Sequence, residues 1–311
     1  MVFLAALSAC ASPPEAAAPP RGGGSEGLRA PAIELTGAPE LVLPGVVSTP
    51  RSEVKLTASP GGDRVLFGAI GWEGGRGGWD VLESARTAAG WGAPVSVAFD
   101  SPSNDFDPSF APDGSGVYFF SNRPGGLGGD DIYFAPFDAA SGRYGEASNL
   151  GPAVNSAGDE WGPVLSPDGR TLLFCTDGRG GAGRHDLFVS RRAPSGAAWG
   201  AAERLDGAIN GPGEDFDPTF LHDGATIVFA SGATTDAADL HVSFPDAARG
   251  VYGAPRKLPA AVNPPGELNF GPSIRADEPM VLYFTSTGPV GPPAAGRADL
   301  YRVRYRIAGG R

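Results

Sequence analysis

A block of 54 to 55 residues recurs along this chain, and that period limits the folds open to it more than any single motif does. The segment Asp107-Pro-Ser-Phe-Ala-Pro-Asp-Gly, with Val117-Tyr-Phe-Phe-Ser and Asp131-Ile-Tyr-Phe, returns as Gly162-Pro-Val-Leu-Ser-Pro-Asp-Gly, Leu172-Leu-Phe-Cys-Thr and Asp186-Leu-Phe-Val. It returns again as Asp217-Pro-Thr-Phe-Leu-His-Asp-Gly, Ile227-Val-Phe-Ala-Ser and Asp239-Leu-His-Val. A fourth copy runs Gly271-Pro-Ser-Ile, Val281-Leu-Tyr-Phe-Thr-Ser and Asp299-Leu-Tyr-Arg, and a degenerate copy with Val65-Leu-Phe-Gly and Asp80-Val-Leu precedes them all. A unit of this length suits one four-stranded propeller blade.

Each copy parses into strands A to D. Strand A enters an Asp-Gly pair at 113, 168 and 223, a hairpin signal for which positive φ is expected at both turn positions. Strand B follows, and a Gly-rich loop leads to strand C, which opens on the repeated Asp at 80, 131, 186, 239 and 299. Strand D opens on an aromatic-Gly pair: Trp91-Gly92, Tyr144-Gly145, Trp199-Gly200 and Tyr252-Gly253. The last copy stops after strand C at Arg306, while Gly37-Ala38-Pro39 with Leu41-Val42-Leu43 matches a strand D. The expected fold is all-β: residues 37–311 form a single β-propeller of five four-stranded blades closed by an N-terminal strand, with six blades as the alternative. Closure removes the sheet edges of an open array.

The Ser-Pro-Asp-Gly-x-x-Leu-x-Phe motif at 166 to 174, with Ser121-Asn122-Arg123 and Asp131-Ile132-Tyr133, resembles the WD40-like repeat of TolB-type and OmpA-associated envelope proteins. The resemblance covers nearly everything from Ala38 to Arg306. It implies a periplasmic or outer-membrane protein-binding or scaffolding module; it specifies fold more than activity, because propellers host unrelated functions.

Val2 to Ala9 are apolar and small and run into Cys10, so Leu7-Ser8-Ala9-Cys10 resembles the lipobox of bacterial lipoproteins. That resemblance implies a signal peptide at 1–9, lipidation of Cys10 and a flexible linker over 10–36, Pro/Ala/Gly-rich from Ser12 to Gly27. No Lys or Arg precedes the apolar run, a departure from the pattern. Ala11 resembles outer-membrane routing, so the expected location is the cell envelope, lipid-anchored on the periplasmic face of the outer membrane. No other stretch approaches the roughly 18 apolar residues of a membrane span, so membrane contact is expected through lipid alone. A net charge of -11 repels phosphate backbones and argues against nucleic acid as a partner. An envelope protein or peptide is the expected partner, a glycan the second candidate, and the chain is expected to be monomeric and without a cofactor.

In an antiparallel blade the long B-to-C loops share one face with the D-to-A connections, and binding is commonly placed on long loops over a rigid scaffold. Acidic segments approach strand A on that face: Asp105 and Asp107, then Asp159, Glu160 and Trp161, then Glu214, Asp215 and Asp217. They suggest an acidic, aromatic-edged mouth, against the plainer reading of turn chemistry encoded in the repeat. Asn122, Arg123 and Arg179 follow strand B and could pair with those carboxylates or with a ligand. The repeated Asp before strand C reads as a structural cap.

No catalytic residue is assigned, and a non-enzymatic role is expected. A glycan-hydrolysing propeller is the alternative, because Asp107, Asp217 and Glu160 offer carboxylates, although none stands out from its blade-mates. His185, His222 and His241 have no metal-ligand spacing, so no metal site is expected. Cys175 reads as a small buried hydrophobe. The Gly-rich strings around Ser25 mimic hydrolase and dinucleotide motifs but lack the strand and helix those need.

Overall fold

The computed structural model of the chain describes residues 30–193, 198–290 and 296–309. The expected signal peptide, Cys10 and most of the linker lie outside them.

Five small antiparallel sheets stand around a central axis as a five-bladed propeller, settling the blade number that the repeat left between five and six. The innermost strands are Glu53–Ala58, Asp105–Phe110, Glu160–Leu165, Glu214–Phe220 and Asn269–Arg275, and each packs against the next around the ring. In the fifth blade Asp299–Ala308 is flanked by Glu278–Ser286 and by N-terminal chain, which closes the circle. Glu40 and Leu41 pair with Arg302 and Tyr301 at the expected place. A further strand, Ala32–Leu35, pairs with Tyr305 to Ala308, so the sheet reaches into the segment expected as linker.

The apolar core is distributed between the blades. Five buried clusters form, each joining two neighbouring sheets, such as Leu66, Val81, Phe119 and Tyr133 between the first and second blades. The cluster between the fourth and fifth blades holds Leu240, Phe284 and Tyr301, with Ile33 and Leu35 of the closing strand packed on it. Two twisted sheets bury one face each in this arrangement, so every blade depends on both neighbours.

The Asp-Gly hairpins form, with a correction to their geometry. Gly114, Gly169 and Gly224 alone adopt positive φ (74°, 69° and 68°), and the preceding Asp residues do not. Each glycine N–H instead closes a four-residue turn onto the carbonyl of Ala111, Ser166 or Leu221. The Asp before strand C caps its loop as expected in four blades: Asp80 accepts from Arg76 and Gly77, Asp131 from Leu127, Asp186 from Ala182 and Gly183, and Asp299 from Gly296. Asp239 departs, because its loop is a short 3-10 turn at Thr235–Ala237, and it pairs with Lys257 at 2.6 Å.

A second repeated device pins strand C to the chain beyond strand D. Asn155, Asn210 and Asn263 each accept the N–H and return a hydrogen bond to the C=O of Ile132, Leu187 and Leu240. In the first blade Asp100 holds that place and accepts from Val81 at 3.0 Å, with no amide to return the second bond. No helix among the described residues is long and apolar enough to cross a membrane.

Candidate functional site

Every innermost strand carries a register shift at the same level, and the residue within it has a left-handed backbone: Lys55 (φ 44°), Asp107 (50°), Gly162 (60°), Asp217 (48°) and Gly271 (55°). These residues form a ring about the axis. Positive φ is unfavourable for side chains with a Cβ, so three non-glycine residues in it amount to strain held in place by the surrounding sheets. Gly162 is obligatory for another reason as well, since a Cβ there would lie 2.8 Å from the Asp217 Cα.

The ring concentrates buried charge. Lys55 is buried, and its Nζ donates to the Pro272 carbonyl at 3.0 Å. Asp107 is buried, with neither carboxylate oxygen accepting a hydrogen bond. Burial first, and the adjacent Asp217 carboxylate second, push the Asp107 pKa well above the ordinary range, while Lys55 opposes the rise. The neutral form of Asp107 is thereby favoured relative to that of an exposed carboxyl. Asp217 in turn accepts from the Gly271 N–H at 3.2 Å.

Asp107 and Asp217 line a bowl of about 320 Å³ on the long-loop face. Trp79, Phe106, Phe120, Trp161, Phe216 and Phe270 supply its aromatic lining, and Asn104, Asp130 and Asp236 its remaining polar groups along with Thr235. Phe106 packs edge-on to Trp79 at 4.5 Å. Burial, with the charges of Asp159 and Asp131 adding to it, raises the Asp130 pKa; the hydrogen bond from Trp161 Nε1 opposes this. A second cavity of about 390 Å³ opens on the Asp-Gly turn face, lined by Lys55 with Pro60, Phe110, Pro112, Pro167 and Phe220.

Of the residues picked out by sequence, Asp107, Trp161 and Asp217 reach the bowl. Asp105, Glu160 and Asp215 instead stand at the starts of their strands, the last one residue in, and accept the backbone N–H four residues earlier, from Ser101, Ser156 and Gly211; Glu53 does the same with Thr49. This is repeat-encoded corner chemistry. Arg123 is spent on Asp105 at 2.5 Å and on the Phe99 carbonyl, with its guanidinium beside the rings of Phe119 and Tyr133. Arg179 donates to the carbonyls of Pro152, Val154 and Asn155, and Asn122 accepts from the Asn104 N–H. Cys175 is fully buried, and burial pushes its thiol pKa well up, as suits an inert core residue.

Asp159 and Glu214 lie beside the bowl in a group that sequence spacing did not reveal. One ligating atom from each of Asp159, Asp177 and His185 lies within 4.8 Å of the others. His185 is buried, its Nδ1 is 2.7 Å from Glu214 Oε2, and its Nε2 has no hydrogen-bond partner. Trp79, Asp130, Asp236 and Phe270 were also missed, because they reach the bowl from loops and strands of separate blades. Aligning the copies at the ring would have exposed part of it: the residue before each ring position is Phe106, Trp161, Phe216 or Phe270 in four of the five.

No protein-family profile and no curated protein sequence matches the chain. Solved structures do. A thermostable family-43 glycoside hydrolase aligns at 11% identity with a TM-score of 0.53, over 87% of this chain and 92% of that one. An α-L-arabinofuranosidase from Podospora anserina, in complex with cellotriose, aligns at 11% identity and a TM-score of 0.50, over 88% and 95%. TolB from Acinetobacter baumannii aligns at 14% identity with a TM-score of 0.47, over 83% of this chain; the chain spans 56% of that protein. At these identities the likeness is one of propeller fold.

Proposed function

We propose that this chain is a binding module of the cell envelope, anchored through Cys10, whose long-loop bowl receives a cationic side chain of a partner protein or peptide. The lining of the bowl carries the reading: Asp107, Asp130, Asp217 and Asp236 stand among six aromatic rings, with no Lys or Arg among the described residues that line it. A guanidinium or ammonium group gains from carboxylates and from aromatic faces together, most strongly where water is excluded. A cation in the bowl also favours the charged form of Asp107, opposing the effect of burial.

A glycan-hydrolysing reading has one feature in its favour, a buried carboxyl of raised pKa near a second carboxyl in an aromatic bowl. Glycosidases, however, separate their two carboxyl groups by about 5 to 9.5 Å to fit a sugar carbon or a water between them. Asp107 and Asp217 instead flank Gly162 in the ring, close enough that the charge of one raises the pKa of the other.

The test is tryptophan fluorescence, to which Trp79 and Trp161 of the bowl contribute among the five indoles of the chain, during titration with Arg- and Lys-bearing peptides and, separately, with xylo-, arabino- and cello-oligosaccharides. The expected result is saturable, salt-sensitive peptide binding that Asp107→Asn/Asp217→Asn weakens at least about tenfold. Pull-downs from solubilised envelopes with the same two proteins then identify the partner. Release of sugar from any oligosaccharide, lost in the variant, would replace this reading with the enzymatic one.

A further inference from the structure

We propose that Asp159, Asp177 and His185 form a binding site for a divalent transition-metal ion of the zinc class, separate from the bowl carboxylates. The three side chains come from three connections of the third blade: the approach to its strand A, the exit from its strand B and the entry to its strand C. Their ligating atoms lie within 4.8 Å of one another. Bonds of about 2.0 to 2.2 Å to one zinc ion place such atoms about 3.4 Å apart, so the ligating atoms need to approach one another by about an ångström on binding.

His185 points to a ligand by its own bonding. Its buried Nε2 has no partner, and a buried polar atom left unsatisfied is unfavourable unless something else occupies it. Glu214 engages Nδ1 at 2.7 Å, the carboxylate-histidine arrangement that fixes the tautomer presenting Nε2 to a metal. The adjacent Arg184 pairs with Glu214 at 3.5 Å.

The neighbouring blade shows what the fold alone requires. There the equivalent positions are Asn104, Asn122 and Asp130. Asn104 Oδ1 accepts from the Trp79 N–H, and Asn122 Oδ1 from the Asn104 N–H. In the third blade Asp159 Oδ1 accepts from the Asp130 N–H, and Asp177 Oδ1 from the Asp159 N–H, both at 2.9 Å. An amide oxygen fills the structural duty as well as a carboxylate does. The extra charge of the two aspartates, their Oδ2 atoms and the imidazole are thus additions of one blade, not features of the repeat. One nitrogen and two carboxylate oxygens suit zinc, cobalt, nickel or manganese, and three protein ligands leave a coordination position for water or an outside ligand.

Asp159→Asn/Asp177→Asn tests the proposal, because it restores the amides of the second blade and keeps both backbone hydrogen bonds. Chelator-treated full-length protein is titrated with zinc chloride by calorimetry, and the melting temperature is recorded with and without zinc. The expected outcome is one equivalent bound by the wild type with a raised melting temperature, and a loss of affinity of about 100-fold or more in the variant. A second readout needs no variant: zinc should shift the 15N resonance of His185 Nε2 and leave His222 and His241 in place. The proposal is overturned if the wild type binds no stoichiometric zinc, if the variant binds as tightly, or if the His185 resonance does not move.

Discussion

The indole of Trp161 lies against the imidazole of His185, with ring centroids 3.9 Å apart and planes 23° from parallel, and its Nε1 donates to Asp130 at 2.8 Å. One side chain therefore forms part of the bowl wall and also covers the histidine of the adjacent cluster. Occupancy of either place should be reported by the same fluorophore, and loss of the indole should disturb both.

Trp161→Phe keeps an aromatic ring but removes the donor to Asp130. The unpaired, half-buried carboxyl should then hold its proton more firmly, because that hydrogen bond now opposes the rise in its pKa. The expected cost is on the order of 1 kcal/mol, measured by urea unfolding at neutral pH.

Asp100→Asn should stabilise the protein above neutral pH. Burial raises the Asp100 pKa to about 7, with hydrogen bonds from Ser96 and Val81 opposing, and burial likewise raises Glu53 to about 7. Both groups are released near pH 4 in the unfolded chain, so the folded state holds more protons between about pH 4 and 7. Their contribution is complete below that window and is lost as pH rises through about 7. Asparagine at 100 also recreates the two-way pin made by Asn155, Asn210 and Asn263. Thermal melts from pH 5 to 9 should show a smaller decline for the variant and a gain on the order of 1 kcal/mol at pH 8. An unchanged pH profile would refute the assignment.

Gly162→Ala should be strongly destabilising, by roughly 2 to 4 kcal/mol, since it adds a Cβ at positive φ and drives it into the Asp217 backbone. The same change at Gly125, also at positive φ but with open space around it, should cost only the backbone strain, about 1 kcal/mol. Denaturation midpoints of the two variants separate the contributions.

Removing residues through Leu35 should weaken ring closure. It strips Ile33 and Leu35 from the cluster between the last two blades and leaves the edge of Asp299–Ala308 unpaired there. The loss should be roughly 2 kcal/mol, with a greater tendency to aggregate on heating. The Arg306–Glu34 ion pair is exposed and contributes little to this.

The repeat by itself determined the blade, its four strands, the Asp cap before strand C and the closure by Glu40 and Leu41, because each depends on contacts within one unit or on pairing with a matching strand. Sequence also marked the acidic approaches to strand A, but could not sort them: Asp105 and Asp107 are two residues apart, which regular pleating would place on one face, and the register shift with positive φ at Asp107 sends one into a corner of hydrogen bonds and the other to the axis. Only the closed ring brought Asp107 beside Asp217, 110 positions later, and raised its pKa by burial between blades. Only the packing of three loops set His185 against Asp159 and Asp177. Local spacing encodes strands and turns because their hydrogen bonds are short-range along the chain; charge burial and convergence of side chains are properties of the assembled circle, which no single repeat contains.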